Sequence, residues 1–440
     1  MRLDEFMEYE ENERAERRRL AGEKSYEILD HLERFQHRFE ETVQGDSLFG
    51  SVSPSIFVGR ANYPDVSAGI LAPVGREDDA ARFETSAGWY DEGVSIGDVF
   101  ERRTSLLNSS RGTSANVHDA WDGFVGVQRE VAIADRPVSV EIGLADRPDL
   151  DFDVGRDDIS TPTGPRAPAR SADLAENPHV PRAVEKTLED DDWKAEGAIN
   201  YLYNRGFDVY EVNTILSAGA LGVGEHRRLV PTRWSITAVD DTVGGFLRGS
   251  IRSNPSVDEV SVWHNEFMAN EFWVVLAPGE WEYELVELKA PGSVWNPDPE
   301  AGMWVATDRE GFEGRTGYPS ETAGAYHAAR LGVLEHLRSE GRQAKALVLR
   351  HVSPDYWGPA GVWQVREAVR HAFDGESGTA ETFGAAVREI AGGLPVSMAD
   401  LRRNSAMCAG LQASLTDFTG GGGTVTGSGA GPTSPGDPDG

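Results

Sequence analysis

The sequence predicts an α+β protein in which mixed sheets carry flanking helices, followed by a disordered C-terminal tail. Three observations predict it. Runs rich in β-formers recur at 137–142, 271–278, 281–291 and 344–352. Apolar stripes at helical spacing lie between them, as at Tyr326, Ala329, Val333 and Leu337. Plentiful Trp and Pro, 11 and 23 residues, argue against a simple helical bundle. The 440-residue length suits two or three domains, and 39% hydrophobic residues suffice for a real core.

The elements follow in order. Residues 3–43 carry an amphipathic stripe through Leu20, Ile28, Leu29, Leu32 and Phe35, which predicts a helix packed on the body. Residues 51–73 are β-rich and punctuated by Gly and Pro. They predict two short strands around an ordered loop with Arg60, Asn62 and Tyr63 at its turn, where Gly59 permits close approach of the backbone. Arg60 is either an anion contact or a structural hairpin residue. A helix is expected at 94–108, carrying Arg102 and Arg103, then a Ser/Asn/Arg loop at 108–112, then a helix at 115–134 with Trp121, Phe124 and Val131 inward. A strand follows at 137–142. Residues 144–182, dense in Asp, Arg and Pro, predict an exposed and partly flexible excursion.

A helix is expected over 182–205, then the short apolar run 209–212 and a helix or turn at 213–220. Residues 227–241 are expected to hold a buried strand that ends in Asp240 and Asp241. Acids at a strand end suit metal or general-base chemistry, so Arg233, Trp234, Asp240 and Asp241 are site candidates; the bland alternative makes Asp240 a helix cap. Strands at 257–262, 271–278 and 281–291 precede an aromatic-rich loop at 293–318 with Trp295, Trp304, Arg315 and Tyr318, either packed or able to stack on bases. His264 and Glu266 flank a turn. The helix at 321–340 ends at Gly341, a strand follows at 344–352, and helices are expected at 362–373 and 378–391. These elements divide into a domain over 1–290, a second over 291–405, a motif region at 406–419 and a tail at 420–440.

Composition narrows the function classes. The formal charge is −31, and Lys24, Lys186, Lys194, Lys289 and Lys345 are the only lysines. An acidic excess spread along a lysine-poor chain fits a surface adapted to concentrated salt. There the Debye length is about 3 Å, so net charge does not bar DNA, and contacts must rest on local Arg, stacking or shape. No apolar run reaches the roughly 20 residues of a membrane span, and no signal-peptide core follows Met1, so a cytoplasmic protein away from membranes is expected. The lone Cys408 excludes an intramolecular disulfide and a multi-cysteine metal site. Neither a dinucleotide fingerprint nor a phosphate-binding loop is present around 51–73, and no cofactor can be named.

Near the C-terminus, Gln412, Leu415 and Phe418 form Q-x-x-aliphatic-x-x-aromatic. One 3₁₀ turn places residues three apart on one side, so Leu415 and Phe418 would share a pocket with Gln412 at its rim. That is the form of peptides that tether DNA-processing proteins to the sliding clamp PCNA. A frayed helix end folded back on the domain is the alternative.

Three blocks carry a resemblance. Ser53-Pro54-Ser55-Ile56-Phe57-Val58-Gly59-Arg60 with Tyr63-Pro64 resembles the signature of the archaeal Nre family. Pro231–Asp240 and the pair Tyr356-Trp357-Gly358-Pro359 and Gly361–Glu367 resemble two further blocks of it, and the similarity spans most of 1–418, in the manner of haloarchaeal members. The resemblance implies a DNA-repair protein with N- and C-terminal Nre domains and a PCNA-interacting motif at Gln412, Leu415 and Phe418, whose partners are PCNA and DNA or other repair proteins. Two departures follow. Many members begin with a cysteine cluster suited to zinc, absent here, so no metal site is expected. The fuller clamp motif has a second large apolar residue where this chain has Thr419, a loss of about 1.5–3 kcal/mol. Whether the chain is an enzyme stays open: a nuclease or transferase using Arg60, Tyr63, Arg233, Asp240 and Asp241, or a non-catalytic scaffold.

Overall fold

The computed structural model describes residues 37, 47–75, 77–117, 123–146, 164–296 and 298–411. The helix expected within 3–43, the segment 147–163 and the motif at 412–419 lie outside the described residues, apart from His37. The chain divides into two compact units, 1–242 and 243–440.

In the first unit, β1 (Ser47–Val52), β2 (Ile56–Val58), β3 (Asp65–Pro73), β4 (Leu106–Ser114), β5 (Val138–Leu144) and β6 (Arg166–Leu174) form one sheet in the order β1-β5-β6-β4-β3-β2. The β4–β6 pair is parallel and the others antiparallel, so the sheet is mixed. Helices α1 (Gly88–Asp91), α2 (Ile96–Thr104), α3 (Gly123–Ala132), α4 (Arg182–Glu189), α5 (Ala195–Asn204) and α6 (Val209–Ser217) flank it. Its core is aliphatic apart from Phe124 and includes Val58, Ala68, Ile70, Leu107, Val131, Val140, Ala167 and Leu229.

The second unit repeats the principle. Strands β7 (Val260–Phe267), β8 (Asn270–Ala277), β9 (Glu282–Lys289), β10 (Trp304–Glu310), β11 (Lys345–Val352) and β12 (Gly378–Ala380) lie in the order β10-β9-β11-β8-β7-β12, with β9 and β11 parallel. Helix α7 (Thr232–Ile251) runs through the division at 242/243. Helices α8 (Gly324–Glu340), α9 (Trp363–Ala372), α10 (Phe383–Gly393) and α11 (Met398–Asn404) follow. Gly341 ends α8 in the left-handed region at φ 62°. Helices α10 and α11 pack on one face of this sheet around Val275, Val286, Leu347 and Leu349.

Several expectations are corrected. Residues 232–241 are helix, not strand: Val239, Val243, Leu247 and Ile251 recur every fourth residue, and all are fully buried. The β-branched Ile236, Thr237 and Val239 masked a stripe that continues past Asp241. Residues 166–174, within the supposed excursion, form β6 inside the sheet: Ala167, Ala169 and Ala172 face inward, while Arg166, Pro168, Arg170 and Asp173 face out. Small inward residues disguised the alternation. Residues 108–112 are not a loop but part of β4, held between β3 and β6, with Ser109 Oγ donating to the Ile70 carbonyl at 3.0 Å. Residues 209–212 open α6, where Asp208 and Glu211 form a capping box. The helix expected over 182–205 breaks into α4 and α5, and the loop at 293–318 contains β10.

Candidate nucleic-acid interface

The turn between β2 and β3 is held by the backbone. The Gly59 N–H donates to the Ser67 carbonyl at 2.9 Å, Tyr63 N–H to Arg60 at 3.2 Å, and Asp65 N–H to Asn62 at 2.8 Å. A Cβ on Gly59 would meet only ordinary contacts, the nearest 3.5 Å away, so close approach does not require this glycine. The turn leaves Arg60, Asn62 and Tyr63 exposed.

The first turn of α7 lies beside it. The Val58 N–H donates to Thr232 Oγ1 at 2.9 Å, and Ser235 Oγ donates to Asn213 Oδ1 at 2.6 Å, which ties the helix start to β2 and α6. Arg233 and Trp234 therefore point outward from a fixed backbone, at the positive end of the helix dipole. The Tyr63 and Trp234 rings meet at 5.3 Å with a 58° tilt, in the range of favourable aromatic pairs. They are 42% and 43% exposed, so solvent reaches much of both.

A third segment completes the surface. The Ala115 N–H donates to the Pro64 carbonyl at 2.8 Å, and Leu229 N–H donates to Ala115 at 2.7 Å, which sets exposed Asn116 and Arg228 alongside the turn. Two buried arginines brace it. Arg129 donates to the carbonyls of Val117 at 2.9 Å and Gly219 at 3.1 Å, and Arg227 donates to those of Gly222, Leu188 and Thr187. Burial, with Arg227 nearby, pushes the Arg129 guanidinium down to about 10, still charged at neutral pH.

The structure thus gathers Arg60, Tyr63, Arg233 and Trp234 on one surface. Asp240 is elsewhere: it is 1% exposed and seven residues beyond Arg233, about 10 Å along the axis. Asp241 is exposed on the same helix. Both sit within a helix instead of at a strand end. Arg102 is buried against Glu92 and Trp89, a structural role. In the second unit, Arg315 pairs with Asp308 at 2.7 Å and donates to the carbonyls of Gly317 and Tyr318, which fixes the backbone there, while the Tyr318 ring stays exposed. His264 and Glu266 lie within β7 and do not flank a turn, and the His264 ring meets Trp273 at 4.1 Å with a 34° tilt. Cys408 is buried and its thiol is pushed up to about 11, which makes it inert at neutral pH. Among the described residues, no group of three or more His, Cys, Asp or Glu is arranged to hold a metal ion, and no helix is long and apolar enough to cross a membrane.

One group had no signal in the sequence. Glu84, partly buried, accepts from Ser53 Oγ at 2.5 Å. Burial raises its carboxyl from 4.5 to about 7, the Ser53 bond opposes this and Glu211 adds to it. Desolvation by residues far along the chain leaves no local pattern to read.

Comparison with known proteins places the chain. Residues 20–296 match the family model described as archaeal Nre, N-terminal, and residues 310–418 match archaeal Nre, C-terminal. A Haloferax volcanii protein named DNA repair protein NreA is 74% identical over 419 residues, 95% of this chain and 100% of the relative. Two Archaeoglobus fulgidus proteins, named DNA repair proteins NreA and NreB, are 38% and 37% identical. They align with 83% and 80% of this chain, and with 88% and 86% of their own lengths. No solved structure matches. With family models over both halves and relatives aligned along most of its length, this chain belongs to the archaeal Nre family.

Proposed function

We propose that this chain is a DNA-repair factor brought to the PCNA sliding clamp by Gln412, Leu415 and Phe418. The observation that carries the repair role is the 74% identity, over 95% of the chain, to a protein named for DNA repair. The clamp reading rests on the Q-x-x-L-x-x-F spacing, and the family's C-terminal region runs to residue 418, so it takes in all three residues. Leu415 and Phe418 would fill the apolar pocket while Gln412 hydrogen-bonds at its edge. Thr419 leaves the second large-residue position unfilled, so the affinity is modest. The work is done in the cytoplasm, on DNA or with other repair proteins.

Calorimetric titration of the full chain against PCNA tests this. Phe418→Ala abolishes binding without changing the melting temperature, and the same substitution sensitises cells to DNA damage. Thr419→Phe tightens binding by roughly 10-fold or more, the value of one further buried aromatic side chain. A Phe418→Ala chain that binds PCNA like the wild type refutes the clamp assignment.

A further inference from the structure

The surface around Tyr63 and Trp234 has chemistry that clamp binding leaves unused. We infer that it is a stacking platform for the unpaired bases of single-stranded DNA, with arginines taking the phosphates. The inference deepens the repair reading and takes from it only that the nucleic acid is DNA.

Three observations carry it. Two large aromatic rings meet at 5.3 Å and remain 42% and 43% exposed, on backbone fixed by hydrogen bonds from three segments. A rigid pair of this kind loses little entropy when a base covers it. Next, Arg60 and Arg233 lie within three residues of Tyr63 and Trp234 in the chain, and Arg228 lies on the segment bridged to Asn116 beside the turn; all three are exposed, and among the described residues none of their guanidiniums has a hydrogen-bond or ion-pair partner. Cations gathered on one surface with no acid partner among the described residues, on a chain of net charge −31, suit an anionic ligand. Finally, exposed Asn62 and Asn116 put amide donors and acceptors at the rim, within the chemistry of base edges. Asp65, exposed at the end of the turn, limits how closely the strand approaches on that side.

The combination selects the ligand. An apolar peptide would cover the rings and leave three guanidiniums without anions. A duplex would satisfy the guanidiniums but keep its base faces stacked internally. A single strand supplies free π-faces and phosphates at short repeat, which both halves of the surface use. Stacking is not screened by salt, so such binding survives where counterion release contributes little.

The test is fluorescence anisotropy with the full chain and a labelled oligothymidine of about 15 nucleotides, near one site size. It is run at low and at molar salt beside a duplex of equal length. The assay contains no clamp, so its result is separate from that of the PCNA titration. The expected result is binding that prefers the single strand and persists in molar salt. Trp234→Ala and Tyr63→Ala each weaken it roughly 10-fold or more, while Trp234→Phe restores most of it. Arg60→Ala and Arg233→Ala weaken it mainly at low salt and flatten its salt dependence. Thermal melting confirms that each variant is folded. Absence of oligothymidine binding, equal binding of the duplex, or undiminished binding by a folded Trp234→Ala chain would overturn the inference. Tighter binding of the matching oligouridine would overturn the choice of DNA.

Discussion

Replacing Glu284 by alanine is expected to release the segment 405–411 from the second unit. Glu284 lies on β9 and is 1% exposed. Its carboxylate accepts three hydrogen bonds from one short stretch: Ser405 Oγ–H at 2.8 Å, Ala406 N–H at 2.9 Å and Met407 N–H at 2.8 Å. Ser405 Oγ in turn accepts from Cys408 N–H at 3.2 Å. Bonds to a charged acceptor are worth about 1.5–3 kcal/mol each, yet they do not add, because a released segment regains water. The ceiling is the free energy of docking 405–411, which also buries Cys408 and packs Met407 and Leu411 on the second core. A local loss of about 3–5 kcal/mol follows, or roughly 10²–10⁴-fold in protection. Hydrogen exchange read by mass spectrometry reports it directly on the amides of 406–408. The strands β8, β9 and β11 keep their protection, since none takes its pairing from this segment. Glu284→Gln gives a smaller effect, because one amide oxygen still accepts while the amide nitrogen opposes a backbone donor. Unchanged exchange at 406–408 in Glu284→Ala would refute the anchoring role. Equal loss of protection in β11 would show that the residue supports the whole unit instead.

Two further outcomes follow from buried charge. Glu84 has a folded pKa of about 7 against 4.5 unfolded, so the folded state holds its proton more tightly. Its contribution is complete below pH 4.5 and is lost as the pH rises towards 7, by at most about 3 kcal/mol. Glu84→Gln should therefore flatten denaturant stability across that window and gain on the wild type at neutral pH; equal slopes for both proteins would refute the shift. Arg330, 3% exposed, pairs with Glu310 at 2.7 Å, and Glu310 also accepts from Trp281 Nε1 at 2.9 Å. Arg330→Met strands that carboxylate and should cost about 3–5 kcal/mol in urea unfolding, with part recovered in the double variant with Glu310→Gln; a cost under about 1 kcal/mol would show that the pair is not load-sharing.

What could be read from the chain alone was local or collinear. Alternation marked β5 and β9, apolar runs marked β8 and β11, and the stripe through Tyr326, Ala329, Val333 and Leu337 marked α8 up to Gly341. The blocks around Ser53, Pro231 and Tyr356 pointed to the Nre family, because such signatures are runs of contiguous residues. Tertiary structure decided the rest. β4 and β6 are strands because their neighbours pair with them, and small or polar residues in sheet interiors carry little propensity of their own. Asp240 left the candidate surface because a helix turns it inward, whereas a strand would have ended there. Arg60 and Tyr63 met Arg233 and Trp234 through the hydrogen bond from Val58 to Thr232, which joins positions far apart in the chain. A sequence states which chemistry is available; only the backbone path brings distant groups within a few ångströms, where aromatic contact and desolvation act.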